Sequence, residues 1–208
     1  ASGGYIGGGI YHSQNLEGAL STLPGARIVY PSFADDAAGL LRTSMRSKGF
    51  TLFLEPKALY NSLDAACVVP DDFEVPFGKA RIRRSGSDLT IITYGNTTHL
   101  CLKVAERLAN DKVANCEVID LRSLIPLDKE TIFESVKKTS KVLIVHEDKV
   151  FSGFGAELAA TIGTELFQHL DAPIQRVGSI FTPVGFHPVL EKAILPDADR
   201  IYKAASDL

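Results

Sequence analysis

Apolar runs that alternate with helix-like segments from residue 88 onward predict an α/β fold, with a mostly parallel sheet covered by helices. Runs 89–94, 116–121 and 141–145 are rich in Leu, Ile and Val, the composition of strands buried on both faces, and 174–177 extends the series. Helical spacing separates them, as where Leu158, Ile162 and Leu166 recur every fourth residue. A third observation is a gap: periodicity vanishes over 61–87, where Pro70, Pro76, Gly78 and Gly86 interrupt the chain. Three divisions follow, namely a first block at 1–60, a connector at 61–87 and a second block at 88–208.

The first block opens on a glycine-rich stretch, Gly3 to Asn15, expected to be a loop that few contacts restrain. Such a stretch seldom begins a domain, so the chain is expected to be a carboxyl-terminal fragment. Residues 16–23 suit a short helix ended by Pro24-Gly25, and the β-branched run 27–30 a strand. Ser32 is placed to N-cap a helix over 34–48, with Asp35 and Asp36 at its positive end and Gly49 closing it. Strand 51–54 stops at Glu55-Pro56, since proline cannot continue a ladder. In the connector, Arg81, Arg83 and Arg84 read as a solvated edge or a partner contact.

In the second block, strand 89–94 leads to helix 97–109, strand 116–121 to a helix over 129–138 capped by Asp128, and strand 141–145 to a helix over 153–170. Strand 174–177 and helices 188–195 and 199–206 complete it. There is neither a solenoid-type repeat nor a low-complexity tract.

Composition narrows the function classes. With 45% hydrophobic and 23% charged residues the chain is globular, and a net charge of -3 gives no basic face for nucleic acid or an anionic membrane. Three cysteines without CxxC spacing argue against a disulfide framework or a zinc site and favour a reducing compartment, cytoplasmic or, in a eukaryote, the mitochondrial matrix. No run approaches eighteen apolar residues and no signal peptide is visible.

Three places offer chemistry. The glycines neither follow a strand nor lead to a Walker lysine, so both phosphate-loop readings fail, and what survives is Tyr11-His12-Ser13-Gln14, whose imidazole titrates near neutral pH. His146-Glu147-Asp148 follows run 141–145 at a strand's carboxyl end, where open α/β sheets place ligands, although a histidine capping the strand or pairing with Glu147 explains it as well. Gly153-Phe154-Gly155 opens a helix, for anion binding or tight packing. His99, His169 and His187 have no recognisable partners, and no metal-ligand spacing is present.

The order of Gly-Gly-Gly-Ile-Tyr-His-Ser-Gln, Pro24-Gly25, Val29-Tyr30-Pro31-Ser32, Asp36-Ala37-Ala38-Gly39-Leu40-Leu41 and Phe53-Leu54-Glu55-Pro56-Lys57 closely resembles one family. The second block extends the match through the run from Ile119 to Asp128, His146-Glu147 and the run from Gly153 to Glu157. The chain resembles, over almost its whole length, the beta subunit (or beta half of a fused chain) of the thiamine-diphosphate-dependent decarboxylating component of 2-oxo acid dehydrogenase complexes, of pyruvate or branched-chain type.

This resemblance implies that 1–60 is the carboxyl-terminal part of a transketolase-type pyrimidine-binding domain and 88–208 a transketolase carboxyl-terminal domain. It implies an oxidoreductase that decarboxylates a 2-oxo acid and reductively acylates the lipoyl group of the acyltransferase core. His12 matches the family's active-site histidine, with Ser13 and Gln14 orienting it or lining the channel and Tyr11 a neighbour in the active site. Thiamine diphosphate and magnesium would be held mostly by other segments, and the partners would be an alpha subunit or alpha half, a second beta copy and the lipoyl acyltransferase core. The glutamate that contacts the aminopyrimidine precedes the glycine loop in the family, so the fragment alone is expected to be inactive. Some relatives bind potassium near the end of helix 34–48, where Ser47 and Gly49 replace the usual aspartate and asparagine, so that ion is not expected. The alternatives are an assembly module that docks subunits and acyltransferase, or another transketolase-like thiamine enzyme.

Overall fold

A computed structural model describes residues 1–208. In chain order the elements are α1 (Gly9–His12), α2 (Glu17–Leu20), β1 (Arg27–Val29), α3 (Ala34–Arg46), β2 (Thr51–Phe53), β3 (Arg81–Arg84), β4 (Leu89–Thr93), α4 (Thr97–Asn110), β5 (Cys116–Asp120), β6 (Ser123–Ile125), α5 (Lys129–Thr139), β7 (Val142–Lys149), α6 (Phe154–Glu165), β8 (Gln175–Ser179), α7 (Pro188–Ile194) and α8 (Ala198–Ser206).

The second block is built on a five-stranded sheet of order β3-β5-β4-β7-β8. Strands β5, β4, β7 and β8 are parallel, in the register Leu89↔Cys116, Thr90↔Val142 and Leu143↔Gln175, and β3 lies antiparallel on the β5 edge. Apolar side chains point to both faces, as period-two geometry requires of a sheet covered twice. Ile92, Ile119, Val142 and Ile144 meet α5 and α6 through Val136, Phe154, Leu158 and Ile162. Leu89, Ile91, Val118, Leu143 and Val145 meet α4 and α8 through Val104, Leu108 and Ile201. Burying a side chain of this size contributes about 1.5–3 kcal/mol, so the two layers dominate the stability of this block. No helix is long and apolar enough to cross a membrane.

The first block forms a second, three-stranded sheet of order β2-β1-β6. Here β1 and β2 run parallel, while β6, which comes from the other block, pairs antiparallel with β1 through Ile28↔Ile125. Ile28 and Tyr30 also enter the core that α5 and α6 cover, so the two blocks share apolar packing.

Several expectations change. Residues 61–87 contain β3, whose Arg83 is no solvated edge: its side chain is 8% exposed and its guanidinium pairs with Asp36 and with Asp120 at 2.8 Å. Ser32 does not cap α3, because its hydroxyl donates to Asp120 at 3.0 Å and bonds Thr98 at 2.9 Å, leaving Phe33 at the N-cap position. Helix α2 is shorter than 16–23, since the Ser21 and Thr22 hydroxyls bond the carbonyls of Gly18 and Ala19 and close the turn early. Helix α6 stops at Glu165, where Leu166 turns into the core ahead of a 3-10 turn at Phe167–His169. Asp128 does cap α5, its carboxylate accepting from Thr131 N at 3.2 Å.

Candidate functional site

The glycine stretch is not loosely restrained, as its composition alone suggested. Its backbone amides are taken up by buried carboxylates of the second block. Gly4 N donates to Glu147, while Ile6 N at 3.2 Å and Gly7 N at 3.2 Å to each oxygen donate to Glu191. Glu147 lies near the end of β7 and Glu191 on α7. The Tyr5 hydroxyl, its pKa raised by burial, donates to the carbonyl of Pro196. This approach explains two glycines. A Cβ on Gly4 would lie 2.7 Å from Leu195 Cδ1, and Gly7 has φ +65, which a side chain disfavours.

The gripped stretch runs directly into α1, whose last residue is His12. The His12 side chain is exposed, and its carbonyl accepts from the Lys57 ammonium. Tyr11 is 85% exposed beside it. Ser13 and Gln14 turn inward. The buried Ser13 hydroxyl accepts from Gly8 N at 3.0 Å and ties the loop to itself, and Gln14 Nε2 is a buried donor without a partner. The four residues therefore divide into an outward pair at the surface and an inward pair that anchors it.

Sequence reasoning singled out Glu147 and Asp148 at a strand end without placing them behind this segment, and it missed Asn15 and Glu17 as their neighbours. Asn15 is buried and accepts from Ser2 Oγ at 2.9 Å and Tyr30 OH at 3.1 Å, and its carbonyl accepts from Lys149 Nζ at 2.9 Å. Glu17 is fully buried, one oxygen accepting from Tyr94 OH at 3.1 Å and the other without a partner. Asp148 accepts from Gly18 N at 3.0 Å. Burial and the neighbouring Asp148 hold the Glu17 carboxyl well above the usual carboxylate range. Burial also pushes Glu147 up to about 6, against the lowering effect of the Gly4 amide and Asn15. A carboxylate in a helix or strand pattern looks solvated in sequence, and nothing local marked these as buried.

His146 lies inside β7 and neither caps the strand nor pairs with Glu147. Its ring is fully buried with both nitrogens unpartnered, 6.2 Å from Tyr94 and nearly parallel to it. Burial pulls its pKa down to about 4. A Cβ on Gly155 would overlap this ring, so the glycine at the start of α6 reflects tight packing. His99 does have a partner, the Ser32 carbonyl at 2.7 Å, and His187 N-caps α7 by accepting from Val189 N at 3.3 Å. An apolar cleft of about 370 Å³ between Phe33, Phe53, Leu59 and Tyr60 contains none of residues 11–14.

Residues 78–201 match the family described as Transketolase, C-terminal domain. The chain is 40% identical, over 99% of its length, to 63% of the 2-oxoisovalerate dehydrogenase subunit beta of Bacillus subtilis. It is 43% identical, over 93% of its length, to 58% of the pyruvate dehydrogenase E1 component subunit beta of Rickettsia felis. Among solved structures, a split gene transketolase described as an inactive beta4 tetramer superposes with a TM-score of 0.80 at 21% identity, covering 100% of this chain and 64% of that one. The chain thus spans less than two thirds of the length of these relatives.

Proposed function

The chain belongs to the transketolase C-terminal domain family, and from that premise we propose that it is part of the beta component of a 2-oxo acid dehydrogenase that decarboxylates a 2-oxo acid and passes the acyl group to a lipoyl arm. The observation that carries the reading is His12, an imidazole exposed at the end of a segment gripped by buried carboxylates. A group that moves protons needs both access and a fixed position.

Thiamine diphosphate, when bound, would accept the electron pair left by decarboxylation. The orphan Gln14 amide, two residues from His12, is a donor suited to an acceptor atom of a cofactor or acyl group. Magnesium and the diphosphate are assigned to other segments of the enzyme, as the family resemblance implies. His12 would hold or release a proton at its imidazole during acyl transfer, with Tyr11 beside it and Ser13 fixing the turn.

The division into 1–60, 61–87 and 88–208 belongs to the same proposal, as do an alpha partner, a second beta copy, the acyltransferase core and a cytoplasmic or mitochondrial matrix location. A docking role for the second block is favoured by its exposed Phe151 and Phe181, whose rings lie 4.7 Å apart. In the assembled enzyme, His12→Ala is expected to lower the rate of lipoyl acylation about 100-fold. An unchanged rate removes His12 from the mechanism. The chain by itself is expected to release no carbon dioxide from pyruvate or a branched-chain 2-oxo acid, and turnover by it would overturn the assignment of the cofactor to other segments.

A further inference from the structure

We propose that Glu191 is a positioning residue for His12, acting through the backbone of the glycine loop. The inference rests on the proposed role of His12 and adds a residue from the far end of the chain. Glu191 is 8% exposed, and its carboxylate forms no ion pair. Its hydrogen bonds run to the loop instead, from Ile6 N at 3.2 Å and Gly7 N at 3.2 Å to both oxygens. A carboxylate that accepts from consecutive amides fixes the local path of the backbone, because rotating either peptide removes a donor from a buried charge.

Three further contacts make the grip continuous. Glu147 holds Gly4 just upstream. Phe186, one residue before the N-cap of α7, lies within van der Waals reach of Gly9, where a Cβ would stand 3.4 Å from the Phe186 Cβ. The Ser13 hydroxyl then receives Gly8 N. From Gly4 to Ser13 the loop is therefore shaped by α7 and by the end of β7, and α1 carries His12 out of that mould.

The neighbourhood of Glu191 indicates that the arrangement serves position more than burial of apolar surface. Val189 and Leu190, adjacent on the same short helix, are 68% and 55% exposed, whereas the charged residue faces inward. A helix that served only packing would turn the other way.

Two measurements test this. In the 208-residue chain, Glu191→Ala is expected to speed amide exchange at Ile6 and Gly7 about tenfold, and Glu191→Gln, which keeps one acceptor oxygen, by less. Exchange at the wild-type rate in both variants overturns the grip. In the assembled enzyme, Glu191→Ala is expected to lower kcat for lipoyl acylation by up to about 100-fold with KM for the 2-oxo acid unmoved, and Glu191→Gln to recover part of it. Combined with His12→Ala, the Glu191 change is expected to cost nothing further. A full additional loss in the double variant means that Glu191 acts independently and overturns the positioning role, while the reading of His12 stands. No effect of His12→Ala alone overturns both.

Discussion

Two seams join the blocks, and they solve the same problem with opposite chemistry. At one, Asp36 and Asp120 meet Arg83 and Arg122, with Arg122 2.8 Å from Asp36 and Arg83 2.8 Å from Asp120. The charges there balance within a hydrogen-bonded cluster that also includes Ser32. At the other seam Glu17, Glu147, Asp148 and Glu191 lie behind the glycine loop with little cationic help beyond Lys149; backbone amides or a tyrosine hydroxyl donate to each, and one Glu17 oxygen has no partner. A balanced cluster is costly to break, because removing one partner leaves a buried charge unpaired. An acid-rich seam is held by donors that carry no charge, so burial raises the carboxyls of Glu17, Glu147 and Asp148, and its geometry depends on the path of one loop. The first seam fastens the blocks, and the second shapes the candidate site.

The contrast breaks most visibly if an arginine is removed. Arg83→Ala leaves Asp36 and Asp120 buried with a charge deficit and is expected to cost about 3–5 kcal/mol in urea unfolding. A loss below about 1 kcal/mol would mean that the cluster is not the fastening element.

The acid seam is sharpened by pH. Glu147 is raised from 4.5 to about 6, so between those values the folded chain retains a proton that the unfolded chain has released. Its contribution to stability is therefore greatest below pH 4.5, declines as pH rises toward 6 and stays low above it. Glu147→Gln is expected to gain on the parent over that window by on the order of 2 kcal/mol and to run parallel to it above pH 6. Comparison with the variant also removes the opposing effect of His146, whose lowered pKa favours the fold as pH rises from about 4 to 6.5. Parallel curves throughout would place Glu147 outside the seam's titration.

The smallest effect is local. Ser13→Ala deprives Gly8 N of its acceptor and is expected to cost about 1 kcal/mol, measured as a shift in the urea midpoint. A larger loss would make the loop's internal tie as important as its grip by α7.

Strands buried on both faces declare themselves in sequence, which is why β4, β5 and β7 were legible from runs of Leu, Ile and Val. Strand β3 was hidden because three of its four residues are arginines, and charge masks a pattern that an edge strand needs only weakly. Strand β6 is three residues long and ends before Pro126, too short to show a period. In the candidate site, His12 was singled out by its match to the family's Tyr-His-Ser-Gln run, because an imidazole after a flexible loop carries little by itself. Glu191 was not, because burying an acid on a short helix while its apolar neighbours face solvent reverses the ordinary pattern, and only the fold reveals where the loop lies.

Strand β6 gives the molecule an order of completion. The sheet of β1 and β2 receives its third strand from residues 123–125, which leave the ribosome only after the connector and the first three strands of the larger sheet. Until then Ile28 has no partner on that side, and the amino-terminal block is an open edge waiting for a segment from its neighbour. The two blocks are thus stitched by backbone as well as by charge, and neither can swing away as a rigid body without unpicking a sheet.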